Sequence, residues 1–316
     1  MRGYIDRVSE VLEENNCKYN IINYPEGNKK AVDIVATTQD KRLFIIRVPP
    51  DDKISKMEIS DLKNMSKASN AIPLYITTEA DENFVIKKDI IVGVSIEGLM
   101  RILKGEKMFV YKTRGGIFVK INNKKFKEEK EKLRLSLGEL ANVLGVSRKT
   151  IYDYERGFSD VTIEVAEKLV EIFGEEVLGD ILSDIPEELA SSDVDNDNNE
   201  KKSNDSLEEK IKNELKNANY KIYELSLAPI DIVGIKKDKE KSKLHLLAIS
   251  VEPKNKDPNI VLKKAYEGNK IAKAIGSDFL IVTRTTTTEK LVNREGFKTY
   301  TMNNITELRD EIDSNN

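Results

Sequence analysis

The chain has 316 residues, 39% hydrophobic and 34% charged, with 52 Lys and Arg nearly balanced by 55 Asp and Glu. That length holds two or three domains, and the composition is that of a globular protein with a heavily hydrated surface, which excludes a disordered, collagen-like or membrane-embedded chain. One cysteine, Cys17, and one histidine, His245, exclude an internal disulfide and a zinc cluster, so both are expected to be packing residues and no metal or cofactor is expected.

The N-terminal MRGYIDRVSEVLEENN is a charged amphipathic helix without the apolar core of a signal peptide, and no membrane segment follows, which predicts a cytoplasmic protein. Strand-like KYNIINY, AVDIVATT and RLFIIRV come next, then a helix near Ile59 to Ser69, the apolar strand PLYIT and a helix near Ile96 to Leu103. This alternation predicts an α/β domain over residues 1–106 built on a mixed sheet. MFVYKT and IFVKI, flanking Arg114, Gly115 and Gly116, predict a β-hairpin connector over 107–122. The alternative for this hairpin is a wing that touches DNA through Lys112 and Arg114.

From Leu133 to Gly157 the sequence LRLSLGELANVLGVSRKTIYDYERG meets the demands of a helix-turn-helix. Ser136 stands three residues before Glu139, the capping-box spacing that starts a helix. Leu137, Leu140, Ala141 and Leu144 share one helical face, and Gly145 suits the positive φ of a sharp turn. Val146 fills the wedge between two helices, and Ser147 with Thr150 starts a second helix whose buried face carries Ile151 and Tyr154. Arg148, Lys149, Thr150, Tyr152, Asp153 and Arg156 then face outward, where the second helix of such a motif meets the major groove. Arg148 and Lys149 are candidates for guanine O6 and N7, Asp153 for a cytosine amino group, and Ser147 and Thr150 for a phosphate.

The segment GELANVLGVSRKTIYDYERG resembles the Cro/C1 (XRE) family of helix-turn-helix domains, whose second helix commonly ends in the ERG seen at Glu155 to Gly157. The amphipathic flanks FKEEKEKLRL and VTIEVAEKLVEIFG agree with it, and the resemblance implies an all-α double-stranded-DNA-binding domain over 123–184 with motif residues 137–156. Leu137 departs from the family, many of whose members carry a polar, phosphate-touching residue there. Residues 124–157 hold nine Lys and Arg against six Asp and Glu, so one domain should bind weakly and a homodimer is expected.

Residues 185–205 are acidic, polar and poor in apolar side chains, which predicts a flexible linker. Beyond it, a helix LEEKIKNELKNAN, strands YKIYELS, PIDIVGI and LHLLAISV, a helix KKAYEGNKIAKAIG, the strand DFLIVT and a helix ITELRDEI predict a second α/β domain over 206–316. PIDIVG echoes AVDIVA, and the pairs Lys67-Ala68 and Lys273-Ala274 precede Thr77 and Thr283 by the same spacing, so the outer domains read as divergent copies. The run TRTTTTEK from Thr283 is expected to be a solvated loop capping the next helix. Neither GxxxxGK[ST] nor GxGxxG occurs.

GNKKAVDIVATTQDKRLFIIRV resembles the PD-(D/E)xK nuclease fold of archaeal Holliday-junction resolvases, in which an Asp and a Glu bind magnesium and a nearby Lys positions water. Asp33 matches the Asp, but Ile45 stands at the Glu position and Arg47 at the Lys position. In the second copy Asp231 remains, and Leu247 to Ser250 supply no Glu or Lys. The resemblance therefore implies degenerate nuclease domains with no catalytic residues; the alternative is a divergent structure-selective nuclease using Asp33 or Asp231. As a whole the arrangement resembles an archaeal family of helix-turn-helix transcriptional regulators: an α+β or α/β multidomain chain with two nuclease-like mixed-sheet domains flanking an all-α Cro/C1 domain.

Overall fold

The computed structural model of the chain describes residues 2–191, 205–237 and 244–301. The first α/β module comprises α1 (Arg2–Glu14), β1 (Lys18–Ile21), β2 (Ile34–Thr37), β3 (Leu43–Arg47), α2 (Lys56–Ser69), β4 (Ile72–Ile76), β5 (Phe84–Lys88), β6 (Ile91–Val94), α3 (Ile96–Leu103), β7 (Val110–Thr113) and β8 (Gly116–Val119). Its eight strands form one mixed sheet in the order β1-β2-β3-β4-β6-β5-β7-β8. The central strands β3, β4 and β6 are parallel, and β4 and all of β3 before Arg47 read as apolar runs because both their faces are covered. Helix α2 begins at a Ser55–Glu58 capping box and ends at Asn70 in the left-handed conformation.

Strands β5 and β6 go beyond the elements expected from sequence. They are joined by a tight turn in which Asp89 takes φ 59°, and ENFVIKKDIIVGV carries neither glycine nor proline at that bend. The hairpin β7–β8 extends the same sheet: β7 lies parallel to β5, and β8 lies antiparallel to β7. Val119 then bridges Val161 in the helical region, so the sheet runs directly into the helix-turn-helix domain.

That domain holds α4 (Asn123–Lys132), α5 (Leu137–Leu144), α6 (Arg148–Arg156) and α7 (Ile163–Phe173), then a 3-10 turn; α8 (Ile185–Ser191), where the linker was expected to begin, is instead a helix whose Ile185 and Leu189 join the core of the α/β modules. Phe126, Leu140, Leu144, Ile151, Tyr154 and Leu169 build a core of its own, to which the sheet contributes Val119. Burying these six large side chains supplies about 1.5–3 kcal/mol each of gross hydrophobic stabilisation.

The second module comprises α9 (Ser206–Asn217), β9 (Lys221–Glu224), β10 (Ile232–Lys237), β11 (Leu244–Val251), α10 (Pro258–Ile275), β12 (Asp278–Thr283), α11 (Thr286–Arg294) and β13 (Thr299–Thr301). Its sheet runs β13-β12-β11-β10-β9, with β9, β10 and β11 antiparallel and β12 parallel to β11. This repeats the path from α1 to β4. The threonines of TRTTTTEK form the cap and first turn of α11, because the Thr285 hydroxyl accepts from the Thr288 amide. Of the expected linker, residues 192–204 fall outside the described residues, as does the expected helix ITELRDEI.

The two modules pack on each other through reciprocal contacts. Asp61 on α2 accepts from the amides of Ser226 and Leu227, at 2.7 and 2.6 Å, just beyond β9. Glu267 on α10 accepts from the amide of Asn23, at 2.8 Å, just beyond β1. One helical turn later, Asn64 donates to the Glu224 carbonyl and Lys270 to the Ile21 carbonyl. Each crossover helix thus reads the first strand of the other module, in the manner of a two-fold pair. Residues of both modules, Ile22 and Val35 with Ala228 and Ile271 among them, share one apolar core.

Candidate DNA-binding site

The capping box at the start of α5 forms on both sides: the Ser136 hydroxyl accepts from the Glu139 amide and the Glu139 carboxylate accepts from the Ser136 amide. Gly145 ends α5 at φ 74°, a conformation that costs an L side chain about 1–2 kcal/mol, and so sets the elbow. Ser147 caps α6, its hydroxyl accepting from the Thr150 amide at 3.0 Å. The two hydroxyls also bond to each other at 2.8 Å, which leaves one of their two hydrogens free to donate elsewhere.

Helix α6 buries Ile151 and Tyr154 and exposes Ser147, Arg148, Lys149, Tyr152 and Arg156, with Thr150 and Asp153 half-buried. The Arg156 guanidinium lies over the Tyr152 ring at 5.3 Å, which holds both side chains on the same outer face. Arg148 turns back toward α5 and lies against Gly138, where a Cβ would stand 3.0 Å from its Nη2. Its guanidinium is therefore beside the first turn of α5, next to Leu137.

Several supporting residues carry no sequence signature of their own. Lys130 on α4 pairs with Glu155 on α6, both side chains only 13% exposed, which fixes the second helix of the motif to the first helix of the domain. Tyr111 on β7 donates to Asp160 in the loop after α6 at 2.7 Å. Burial, then that bond and the Asp160 charge, push the Tyr111 hydroxyl pKa far up. Burial alone would lower the pKa of Lys120, but its bond to Asp184 and the Asp160 charge outweigh this and leave it raised. These contacts bind the sheet edge to the loop that follows α6. Lys112 and Arg114 are exposed at the hairpin tip.

The nuclease-like centres have a different character. Arg47 Nη1 lies 2.5 Å from Asp33 Oδ2 and its Nε 2.6 Å from Glu58 Oε1, with all three side chains almost fully buried. Lys30 Nζ stands 2.7 Å from the second Asp33 oxygen, and the Val48 amide donates to the first. The strand register sets Ile45 opposite Val35, so Arg47 is the side chain nearest Asp33 across the ladder. In the second module Lys264 on α10 lies 2.5 Å from Asp231, and the Val251 amide donates to the same carboxylate. Burial raises the Asp231 pKa despite the partly opposing Lys264 charge. A divalent cation does not fit these residues, because protein cations already occupy the space it needs. Among the described residues no group of three or more His, Cys, Asp and Glu is arranged to hold a metal.

A helix-turn-helix with an exposed, partly basic second helix, carried between a nuclease-like α/β module and a second α/β module that repeats its path, defines the class of this protein. Comparison with known families agrees, since residues 1–108 match the PD-(D/E)XK superfamily domain and residues 126–178 the helix-turn-helix domain. The chain belongs to the archaeal family whose members bear the name "Putative HTH-type transcriptional regulatory protein". One from Saccharolobus islandicus is 41% identical over 316 residues, covering 99% of this chain and 97% of its own. Others from Sulfurisphaera tokodaii and Saccharolobus solfataricus are each 39% identical, covering 95% and 99% of this chain and 97% of their own. No solved structure matches. Among the described residues no helix is long and apolar enough to cross a membrane.

Proposed function

We propose that this protein is a sequence-specific double-stranded-DNA-binding transcriptional regulator that docks Ser147 to Arg156 in the major groove as a homodimer and cuts nothing. The observation that carries this is the division of α6 into a buried apolar face and an exposed face bearing Arg148, Lys149, Tyr152 and Arg156. Lys149 stands on the exposed first turn of the helix and is assigned to base edges. Arg148, lying beside the first turn of α5, is assigned to a phosphate, and only after leaving Gly138 to a base.

The weak positive balance of the domain supports two copies on DNA, because modest half-site energies then add. A second chain has to use a surface other than the facing sides of α2 and α10, which are spent within one chain. The absence of cleavage is supported by Arg47 and Lys264, which neutralise the two surviving aspartates.

The test is selection of bound sequences from a random duplex pool with wild type and the Arg148→Ala, Lys149→Ala double variant, in magnesium and in chelator. A motif with half-sites about one helical turn apart, lost in the variant and indifferent to metal, is the expected result. No enriched duplex, or cleavage that appears with magnesium and dies on Asp33→Ala, overturns it.

A further inference from the structure

A run of positive charge crosses the junction between the first module and the helical domain. Residues 107–127 hold seven Lys and Arg and no Asp or Glu, in a chain that is 34% charged and carries a net charge of -3. Lys120 is spent on Asp160 and Asp184, and Lys125 on Glu129 and Glu176. Lys107, Lys112, Arg114, Lys124 and Lys127 are exposed and, among the described residues, enter no ion pair. Exposed cations with no acid in the surrounding sequence suit a polyanion.

Two of them, Lys112 and Arg114, belong to the hairpin β7–β8, and the sheet decides which way that hairpin faces. Val110 and Val119, paired across it, pack into the core of the helical domain, whereas Tyr111 and Phe118, the next pair, pack into the core of the α/β modules. Successive side chains of a strand alternate between faces. Lys112 and Ile117, the third pair, therefore stand on the face that carries the helical domain, one step beyond the last residues it covers, and both are exposed. Arg114 lies in the turn at the tip, which the Gly115 amide closes by donating to the Thr113 hydroxyl at 3.0 Å.

The hairpin is tied to the end of α6. Val119 and Val161 exchange two backbone hydrogen bonds, at 2.8 and 3.2 Å, and Tyr111 donates to Asp160 in the same loop. The bridge is antiparallel, so the hairpin tip runs alongside the start of α7. Lys112, opposite Ile117, stands two strand positions from the bridge, about 7 Å before the length of its own side chain is added. The major groove that takes a recognition helix is about 12 Å wide with phosphates along both edges, so a cation at this distance from the helix end is on the scale of the flanking backbone.

We infer that the hairpin β7–β8 is a second DNA-contacting element, a wing whose Lys112 and Arg114 bind phosphates of the duplex beside the half-site that α6 reads. The inference rests on the regulator reading above. Arg114 offers paired N–H donors to phosphate oxygens and Lys112 a compact charge. Such contacts carry no sequence information; they set register and supply affinity, which the modest charge of the helix-turn-helix leaves short. Because the hairpin is part of the first module's sheet, they also fix how the α/β modules stand relative to the duplex.

The test is fluorescence anisotropy of the full chain on the selected duplex and on an unrelated duplex, across a salt series, with wild type and the Lys112→Gln, Arg114→Gln double variant. The variant should bind both duplexes more weakly by roughly tenfold, with a log-log salt slope shallower by about 0.9 for each phosphate lost, and should select the same motif. Lys18→Gln with Lys41→Gln removes the same charge at the β1 end of the sheet and should change neither quantity. An unchanged slope in the hairpin variant overturns the proposal, as does an equal loss in the β1-end pair, which would mean bulk charge alone. A different selected motif would put the hairpin on bases and overturns it too. The two readings separate cleanly: an enriched motif with an unchanged slope removes the wing and keeps the regulator. A shallower slope on unrelated duplex with no enriched motif keeps the wing and removes sequence-specific regulation, and no duplex binding at all removes both.

Discussion

The Arg148 guanidinium lies against Gly138, so closely that a Cβ there would stand 3.0 Å from its Nη2. Glycine in the first turn of α5 is conformationally expensive, so Gly138→Ala is expected to stabilise the helical domain by about 0.5–1 kcal/mol. The same methyl crowds the Arg148 guanidinium, which has to shift, and duplex affinity should fall with a salt slope shallower by at most about one. Opposite signs in a thermal melt and a binding titration are the expected result; parallel changes would place Arg148 elsewhere on the DNA.

Tyr111 and Asp160 join the sheet to the loop behind the recognition helix. Because burial and the Asp160 carboxylate raise the Tyr111 pKa in the folded state, its contribution is complete below the unfolded value of about 10 and is lost as pH rises beyond it. Stability should therefore decline on the alkaline side. Tyr111→Phe should be less stable than wild type at neutral pH and lose part of that alkaline decline, read as the difference between the two unfolding curves at pH 7 and 11.

Arg47 is the buried cation on which two buried carboxylates depend. Arg47→Met should destabilise the chain by about 3–5 kcal/mol, as expected when one member of a buried ion cluster is removed. Adding Asp33→Asn and Glu58→Gln to Arg47→Met should recover much of that loss in chemical denaturation. A triple variant no better than the single one would argue against an electrostatic origin.

Asp61 and Glu267 are the matched acceptors of the module interface. Asp61→Ala leaves the amides of Ser226 and Leu227 without their acceptor and is expected to cost about 1–3 kcal/mol. Hydrogen exchange should then speed up at those amides, and at Asn23 in Glu267→Ala. Exchange confined to the mutated helix would mean that the modules do not depend on these contacts.

What was legible from sequence was what local chemistry governs. Ser136 with Glu139, Gly145 and Ser147 announce their helix ends because caps and positive-φ turns are satisfied within a few residues. Strands β5 and β6 were hidden because their turn uses Asp89 where glycine or asparagine usually signals one. Lys264 lies 33 residues from Asp231, and only the crossover helix brings them together. Likewise, nothing in GELANVLGVSRK shows that an arginine on the second helix rests on a glycine of the first, since the elbow angle decides that contact.

Joining two copies of a fold in one chain changes what each copy is able to become. In a pair of identical subunits every substitution appears twice, so both centres have to change alike. A tether holds the partners together at an effective concentration of order millimolar whatever the dilution, and it also makes each half a separate target for mutation. One half has a glutamate, Glu58, on its crossover helix where the other has Lys264, and Thr78 after its fourth strand where the other has Arg284. Asymmetry of this kind is open to a fused pair and closed to a homodimer.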